Sequence, residues 1–204
     1  MRSVIIATEN IGKFREISTL LQNEFEVLFS LRDFKEKVPI EEDSEFYIEN
    51  AMKKARKVGD RFNMYTLADD SGLEVEALGG RPGVRSARYG KDDEDRILRL
   101  LSELKDVSWE KRGAAFKAYL AFYLPGRERC YIFYGELRGV IGFEKKGEGG
   151  FGFDPVFYVP EAGRYLAELT MEEKNMLSHR ARAIKAFKGF LNAEFFRRPR
   201  PVSR

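Results

Sequence analysis

The sequence predicts an α/β fold around a mixed sheet, and three observations carry that reading. The chain opens on a strand, turn, helix and strand that together read as a βαβ unit with a parallel pair. The apolar run Thr66-Leu67-Ala68 ends on two adjacent acids, Asp69-Asp70. Two β-rich runs between residues 113 and 134 meet at Pro125-Gly126, which signals a hairpin.

The first strand is the β-branched run Val4-Ile5-Ile6-Ala7. Phe14, Ile17, Leu20 and Leu21 follow at helical spacing, with Asn10 or Thr8 available as the cap. Phe25-Glu26-Val27-Leu28-Phe29 is the next strand. After the acidic loop Glu41-Glu42-Asp43, Ser44 can cap a helix that carries Ile48, Ala51, Met52, Ala55 and Val58 on one side. Thr66-Leu67-Ala68 is a buried strand expected to end at Asp69-Asp70-Ser71-Gly72. Asp92 and Asp93 precede a helix bearing Ile97, Leu98, Leu100, Leu101 and Leu104. The hairpin pairs residues 115–123 with 130–134, and residues 135–141 extend the same sheet. Four glycines between Gly147 and Pro155 demand an irregular loop. Thr170 and Glu173 form a capping box for the C-terminal helix, on which Leu177, Ile184, Phe187 and Leu191 lie.

The 204 residues suit one substantial domain, expected over residues 1–196, and leave no room for two independent enzymes. With 43% hydrophobic residues and 17 Phe, a packed core is available. No apolar run reaches the roughly 18 residues of a membrane span, and Met1-Arg2-Ser3 leads straight into the first strand, so a cytoplasmic protein without membrane contact is expected. The net charge of +3 owes four positive charges to Arg197, Arg198, Arg200 and Arg204, in a basic tail over residues 197–204 expected to be flexible. Without them the rest of the chain carries −1, so no basic nucleic-acid face is indicated and no stable nucleic-acid complex is expected. One Cys130 and one His179 exclude thiolate and His-rich metal sites. Any metal would be held mainly by carboxylates, which points to Mg²⁺ or Mn²⁺.

Three polar clusters fall at strand ends or helix starts, where α/β folds gather ligands. Thr8-Glu9-Asn10-Ile11-Gly12-Lys13 is not a Walker A loop, because Ala7 and Phe14 stand where a glycine and a hydroxyl residue are needed. It nonetheless sets hydroxyl, amide, glycine and ammonium around a helix N-terminus, which suits a polyphosphate as well as it suits an ordinary capped helix. Glu41-Glu42-Asp43 and Asp69-Asp70 form the second cluster; adjacent acids repel, and a divalent cation favours their ionised forms. The third joins Phe151-Gly152-Phe153-Asp154 to Lys174 and His179-Arg180, aromatics that can stack on a base and side chains that can hydrogen-bond its edges. On one straight helix Lys174 and His179 would lie about 140° apart. A break capped by Ser178 would bring them to one site and leave His179-Arg180 at a positive helix end.

Taken together, Ala7 to Lys13 with Glu16, Glu49-Asn50-Ala51, Ala68-Asp69-Asp70-Ser71-Gly72-Leu73, the run from Leu78 to Tyr89, Gly150 to Pro155, and Leu177-Ser178-His179-Arg180 resemble the inosine triphosphate pyrophosphatase family, also called Ham1 or RdgB-like proteins. The likeness runs in order from about residue 4 to 190. It implies a two-lobed single chain, a central mixed and strongly twisted sheet flanked by helices, an active cleft between the lobes, and a homodimer. The activity implied is hydrolysis of non-standard purine nucleoside triphosphates (ITP, dITP, XTP) to the monophosphate and pyrophosphate, by metal-assisted water attack at the α-phosphorus, with Mg²⁺ or Mn²⁺, cleansing the nucleotide pool. Carried over by residue, the stretch from Thr8 through Glu9, Asn10, Ile11 and Gly12 to Lys13 is similar to the triphosphate-holding turn, and Asp70 to the catalytic carboxylate that also contacts metal. Ser71 is similar to a substrate contact and Glu41 to a second metal ligand, with Glu42 adjacent. Phe151, Gly152, Phe153, Asp154, Lys174, His179 and Arg180 are similar to residues that hold the base and nucleotide. Donors at Arg180, His179 or the backbone would pair with a 6-oxo purine and be left unpaired by adenine. Before the Glu-Asn-Ala motif the chain has Asp43-Ser44-Glu45-Phe46-Tyr47, a departure from the family pattern. The rival readings are a Maf-like pyrophosphatase for other modified nucleotides and a nucleotide- or RNA-binding module without turnover.

Overall fold

The computed structural model describes residues 3–195, and within them one mixed sheet organises the chain. Strand β1 (Ser3–Ala7) and strand β2 (Val27–Ser30) are parallel neighbours joined across helix α1 (Ile11–Leu21), so the opening βαβ unit forms as the apolar spacing predicts. Asn10 is the α1 cap: its side-chain oxygen accepts from the Lys13 N–H at 3.0 Å.

Strand β3 (Thr66–Val75) corrects the expectation that this strand ends at the acidic pair. It pairs parallel with β1, then antiparallel with strand β5 (Gly113–Leu124) along its whole length, from Thr66 opposite Tyr123 to Val75 opposite Ala114. Pairing with β5 satisfies the backbone on both sides of Asp69-Asp70, so the chain stays extended through two acids. Successive side chains on a strand point to opposite faces, and the two carboxylates therefore enter different environments. Strand β4 (Pro82–Gly83) pairs with β3. Strand β6 (Arg129–Ile141) completes the hairpin with β5 and includes the extension over residues 135–141. Strands β7 (Phe157–Val159) and β8 (Arg164–Tyr165) finish the order β2-β1-β3-β5-β6-β7-β8.

Helix α2 (Tyr47–Phe62) begins later than Ser44 suggests. Ser44 builds the turn before the helix instead of capping it: its hydroxyl accepts from Phe46 N–H and donates to Glu49, while its own N–H donates to the Asn50 side chain. Helix α3 (Asp93–Glu103) is capped by Asp92. Helix α4 (Met171–Leu177) starts at the Thr170/Glu173 capping box and stops at Ser178. Ser178 has extended backbone and its hydroxyl accepts from the Ala181 N–H, so helix α5 (His179–Phe190) sets off in a new direction.

Three buried clusters hold these layers. On one face α2 packs Ala51, Ala55 and Val58 against Ile5, Ala68 and Ala121. On the other, α1 and α5 pack Ile17, Leu21, Ala183 and Phe187 against Leu67, Leu120 and Phe122. The third cluster lies toward the far half of the β5-β6 hairpin, where Ile97 and Leu100 of α3 meet Leu73, Phe116, Leu137 and Phe157. Among the described residues no helix is long and apolar enough to cross a membrane. The basic run at residues 197–204 and the domain limit at 196 lie outside the described residues.

Candidate active site

Asp69 and Asp70 have opposite surroundings, as the strand geometry requires. Asp69 faces α1 and α5. Its carboxylate is closed off from solvent by Lys13 Nζ at 2.7 Å, Arg180 Nε at 3.3 Å and the Ser71 hydroxyl at 2.9 Å. Burial disfavours its charge, but Arg180 and Lys13 outweigh burial and hold the carboxyl well below the usual range. Asp70 faces α2, where the Asn50 amide donates to Oδ2 at 3.3 Å. Burial pushes its carboxyl up to about 6, against the pull of Lys13 and Lys54 and with the push of Glu42 and Asp69. An ionised Asp70 is a base of useful strength at neutral pH.

Around Asn10 and Lys13 two cavities adjoin, since both residues and Ala87 line each of them. The first lies over the turn: Thr8, Glu9, Asn10 and Lys13 meet Lys37, Glu42 and Lys54 there, at the N-terminus of α1. Cations and exposed N–H groups at a helix start suit an anion. The Thr8 hydroxyl accepts from the Asn10 N–H and fixes the turn. Gly12 is needed for close approach, because a Cβ there would stand 2.5 Å from a Phe151 ring carbon. The turn is thereby locked to the Phe151 loop.

The second cavity is lined by Ser71, Phe151, Asp154, Lys174, His179 and Arg180, together with Asp93 and Arg96 of α3. The break at Ser178 brings Lys174 and His179 to this one site. Behind the cavity runs an alternating chain of buried charges. Asp69 pairs with Arg180, Arg180 with Glu16, Glu16 with Lys174 at 2.6 Å, and Lys174 with Asp154 at 2.6 Å. Asp154 also accepts from the Phe151 N–H at 2.8 Å, which orders the glycine-rich loop. The Phe151 ring lies 4.8 Å from Lys174 Nζ. His179 stacks on Phe116 with ring centroids 4.9 Å apart. Its Nδ1 has no hydrogen-bond partner among the described residues, and burial, aided by Arg180, drives its pKa well below the ordinary value, so the imidazole is neutral.

The structure thus gathers Thr8, Glu9, Asn10, Lys13, Ser71, Phe151, Gly152, Asp154, Lys174, His179 and Arg180 around two adjoining cavities, while Gly12, pressed against Phe151, and Asp70, hydrogen-bonded to Asn50, lie next to them without lining either. Ile11 is exposed on the first turn of α1 and lines neither. Phe153 touches the second cavity but is buried in the third core cluster beside Tyr89, so its ring is chiefly packing. Three of the five N–H donors of Arg180 go to Asp69, Glu16 and the Ser71 hydroxyl and its side chain is 2% exposed, so it orders the site. Between the two glutamates, the structure places Glu42 at the cavity: it pairs with Lys54 and lies close enough to raise the Asp70 pKa. Glu41, the expected second ligand, lines a separate depression with Lys53, Arg56 and Lys57. Neither residue belongs to a helix or strand, and the two neighbouring side chains line different depressions. Sequence reasoning missed Lys54, whose ammonium donates to the Asp69 carbonyl at 3.0 Å, and gave Asn50 and Glu16 no role of their own. The i, i+4 spacing of Asn50 and Lys54 on one helix face was the available signal.

Among the described residues no group of three or more His, Cys, Asp or Glu side chains is arranged to hold a metal ion. Asp70 and Glu42 are two mutually repelling carboxylates beside an anion-binding cavity. That donor set fits a hard divalent cation of the Mg²⁺ type, which takes one or two carboxylates and completes its shell with phosphate and water.

Residues 4–190 match the Ham1 family. A dITP/XTP pyrophosphatase from Geobacter sulfurreducens is 47% identical over 194 residues, which cover 94% of this chain and 97% of that protein. Similar solved structures include that of a HAM1 protein from Coxiella burnetii, 36% identical with a TM-score of 0.83 over 94% of this chain and 98% of the other. A nucleoside-triphosphatase, or dITP/XTP pyrophosphatase, from Mycobacterium abscessus is 38% identical with a TM-score of 0.72 over 91% and 98%.

Proposed function

This chain belongs to the Ham1 family, and we propose that it hydrolyses non-standard purine nucleoside triphosphates, dITP, ITP and XTP, to the monophosphate and pyrophosphate. The observation that carries the reading is the division of labour within one acidic pair. Asp69 is neutralised by Lys13 and Arg180, while Asp70 is buried with no cationic hydrogen-bond partner among the described residues, within reach of the charges of Lys13, Lys54 and Glu42 that line the cavity over the turn. The alternating ion chain to Lys174 and Asp154 and the identity to dITP/XTP pyrophosphatases favour the purine reading over a Maf-like one.

In this reading the triphosphate lies over the α1 N-terminus. Lys13 and Lys54 neutralise its charge, and the Thr8 to Lys13 turn supplies N–H donors. Asp70 takes a proton from the water that attacks the α-phosphorus, and the β- and γ-phosphates leave together as pyrophosphate. Lys13 faces the charge that develops on that leaving group. Asp70 and Glu42 would hold Mg²⁺ or Mn²⁺, which supplies neutralisation of the phosphoryl oxygens and activation of the nucleophile. Phe151 offers a face to the purine, and neutral His179 offers its ring edge. Arg180, Lys174 and Asp154 fix the geometry. A cytoplasmic homodimer completes the proposal.

The test is a pyrophosphate-release panel over ITP, dITP, XTP, GTP, ATP and CTP, with divalent metal present or chelated. Turnover of the first three, at rates well above the last three and dependent on metal, is the expected result. Equal rates on all six, or on pyrimidines alone, would overturn the purine reading.

A further inference from the structure

Guanine carries the same 6-oxo group as hypoxanthine and xanthine, so a site that reads only position 6 accepts GTP. Discrimination has to come at position 2, where xanthine has an oxo group, hypoxanthine a hydrogen and guanine an amino group. The α3 wall of the base cavity holds a pair of residues suited to that distinction. Asp93 Oδ2 accepts from the Gly152 N–H at 2.8 Å, and Oδ1 takes Arg96 Nη1 at 2.6 Å. The carboxylate therefore ties the Phe151–Phe153 loop to the Arg96 guanidinium. Arg96 lines the same cavity as Phe151 and His179; Asp93 takes one Nη1 N–H, and the sealed Nε has no hydrogen-bond partner among the described residues, so the guanidinium is not saturated by the protein. Arg180, by contrast, has every guanidinium nitrogen engaged.

We propose that Arg96, held in place by Asp93, reads position 2 of the purine. A guanidinium has donors only, so it pairs with the 2-oxo group of xanthine, tolerates the hydrogen of hypoxanthine and meets the 2-amino group of guanine donor to donor. Asp93 directs Oδ2 to the Gly152 N–H and Oδ1 to Arg96 Nη1, so its part is to position the guanidinium against the loop. The inference rests on the purine reading of the cavity and extends it to the choice among 6-oxo purines.

The experiment compares kcat/KM for XTP, dITP and GTP in the wild type, Arg96→Met and Arg96→Lys, with thermal melting to establish folding. Arg96→Met keeps an unbranched stem and removes the donors. It should lower the ratio of XTP to dITP about tenfold or more and raise the ratio of GTP to dITP, since a lost charge-assisted bond is worth at least that factor. Arg96→Lys restores a donor and should recover part of the XTP preference; should Arg96→Met fail to fold, the same ratios in Arg96→Lys, intermediate between wild type and no preference, carry the test. Ratios within about twofold of wild type in a folded variant overturn the assignment. So does an Arg96→Lys enzyme as impaired toward XTP as Arg96→Met, which would make the role one of packing. A wild-type enzyme that turns over none of the three nucleotides would instead remove the purine reading itself.

Discussion

Asp70→Asn should abolish most of the activity and at the same time make the protein more stable. In the folded chain burial pushes the Asp70 carboxyl up to about 6, whereas the unfolded chain has its ordinary value of 3.8. Below about pH 4 the group is protonated in both states and contributes no difference. Between 4 and 6 the folded state binds more protons than the unfolded one, so stability falls as pH rises through that window. Above pH 6 the full penalty is present, and a gap of that size corresponds to about 3 kcal/mol. An amide removes the charge, keeps the shape, and can keep its oxygen on the Asn50 amide, which donates at 3.3 Å. At pH 7.5 in EDTA the variant should therefore melt about 6–12 °C above wild type, on a scale of 2–4 °C per kcal/mol for a chain of this size. The gain should fade as the pH is lowered toward 4. Adding Mg²⁺ should raise the wild-type Tm and leave the variant largely unmoved, because ligand stabilisation needs the carboxylate. Differential scanning calorimetry over a pH series reads all three. A variant that melts at or below wild type at pH 7.5 would refute the claim that Asp70 is held ionised at a cost.

The same substitution one residue earlier should act in the opposite direction. Asp69→Asn strips the partner from buried Arg180 and from Lys13, and should cost about 3–5 kcal/mol in urea unfolding, with retention of wild-type stability as the contrary result. Glu42→Gln should raise the Mg²⁺ concentration needed for half-maximal rate more than Glu41→Gln does; a metal titration that shifts only for Glu41→Gln would return the ligand role to the residue outside the cavity. Ser178→Ala removes the hydroxyl that accepts from Ala181 N–H, and should lower stability by about 0.5–2 kcal/mol while reducing kcat/KM by a larger equivalent, because Lys174 and His179 sit on either side of the break. An activity loss no larger than the stability loss would show that the break is structural only.

The βαβ opening, the hairpin, the capping box and the Ser178 break were legible because each depends on local spacing or on a cap within four residues. The full length of β3 was not. Its second half is decided by β5, roughly forty residues away, and acidic residues read locally as a strand end. The site divides along the same line. Residues on the turn and the glycine-rich loop carry local signatures, whereas the role of Glu16 lies in its meeting Lys174 and Arg180 from another helix pair, which no spacing within α1 reveals. Lys54 looked like one basic residue in a run of them, and only the packing of α2 on β3 turns it toward the Asp69 carbonyl. The choice between Glu41 and Glu42 depends on how a segment outside any helix or strand turns its side chains, which no periodicity in the sequence encodes. Buried Arg112 is the structural counterpart: it donates to the carbonyls of Leu104, Ile141 and Gly142, and nothing around it in sequence marks it as interior.

Water attack at the α-phosphorus with Asp70 as the base is tested directly by a single turnover of ITP in ¹⁸O-labelled water. Mass spectrometry should find one labelled oxygen in inosine monophosphate and none in pyrophosphate. Label in pyrophosphate, or release of orthophosphate with inosine diphosphate, would place the attack at another phosphorus and contradict the roles assigned to Asp70 and Lys13.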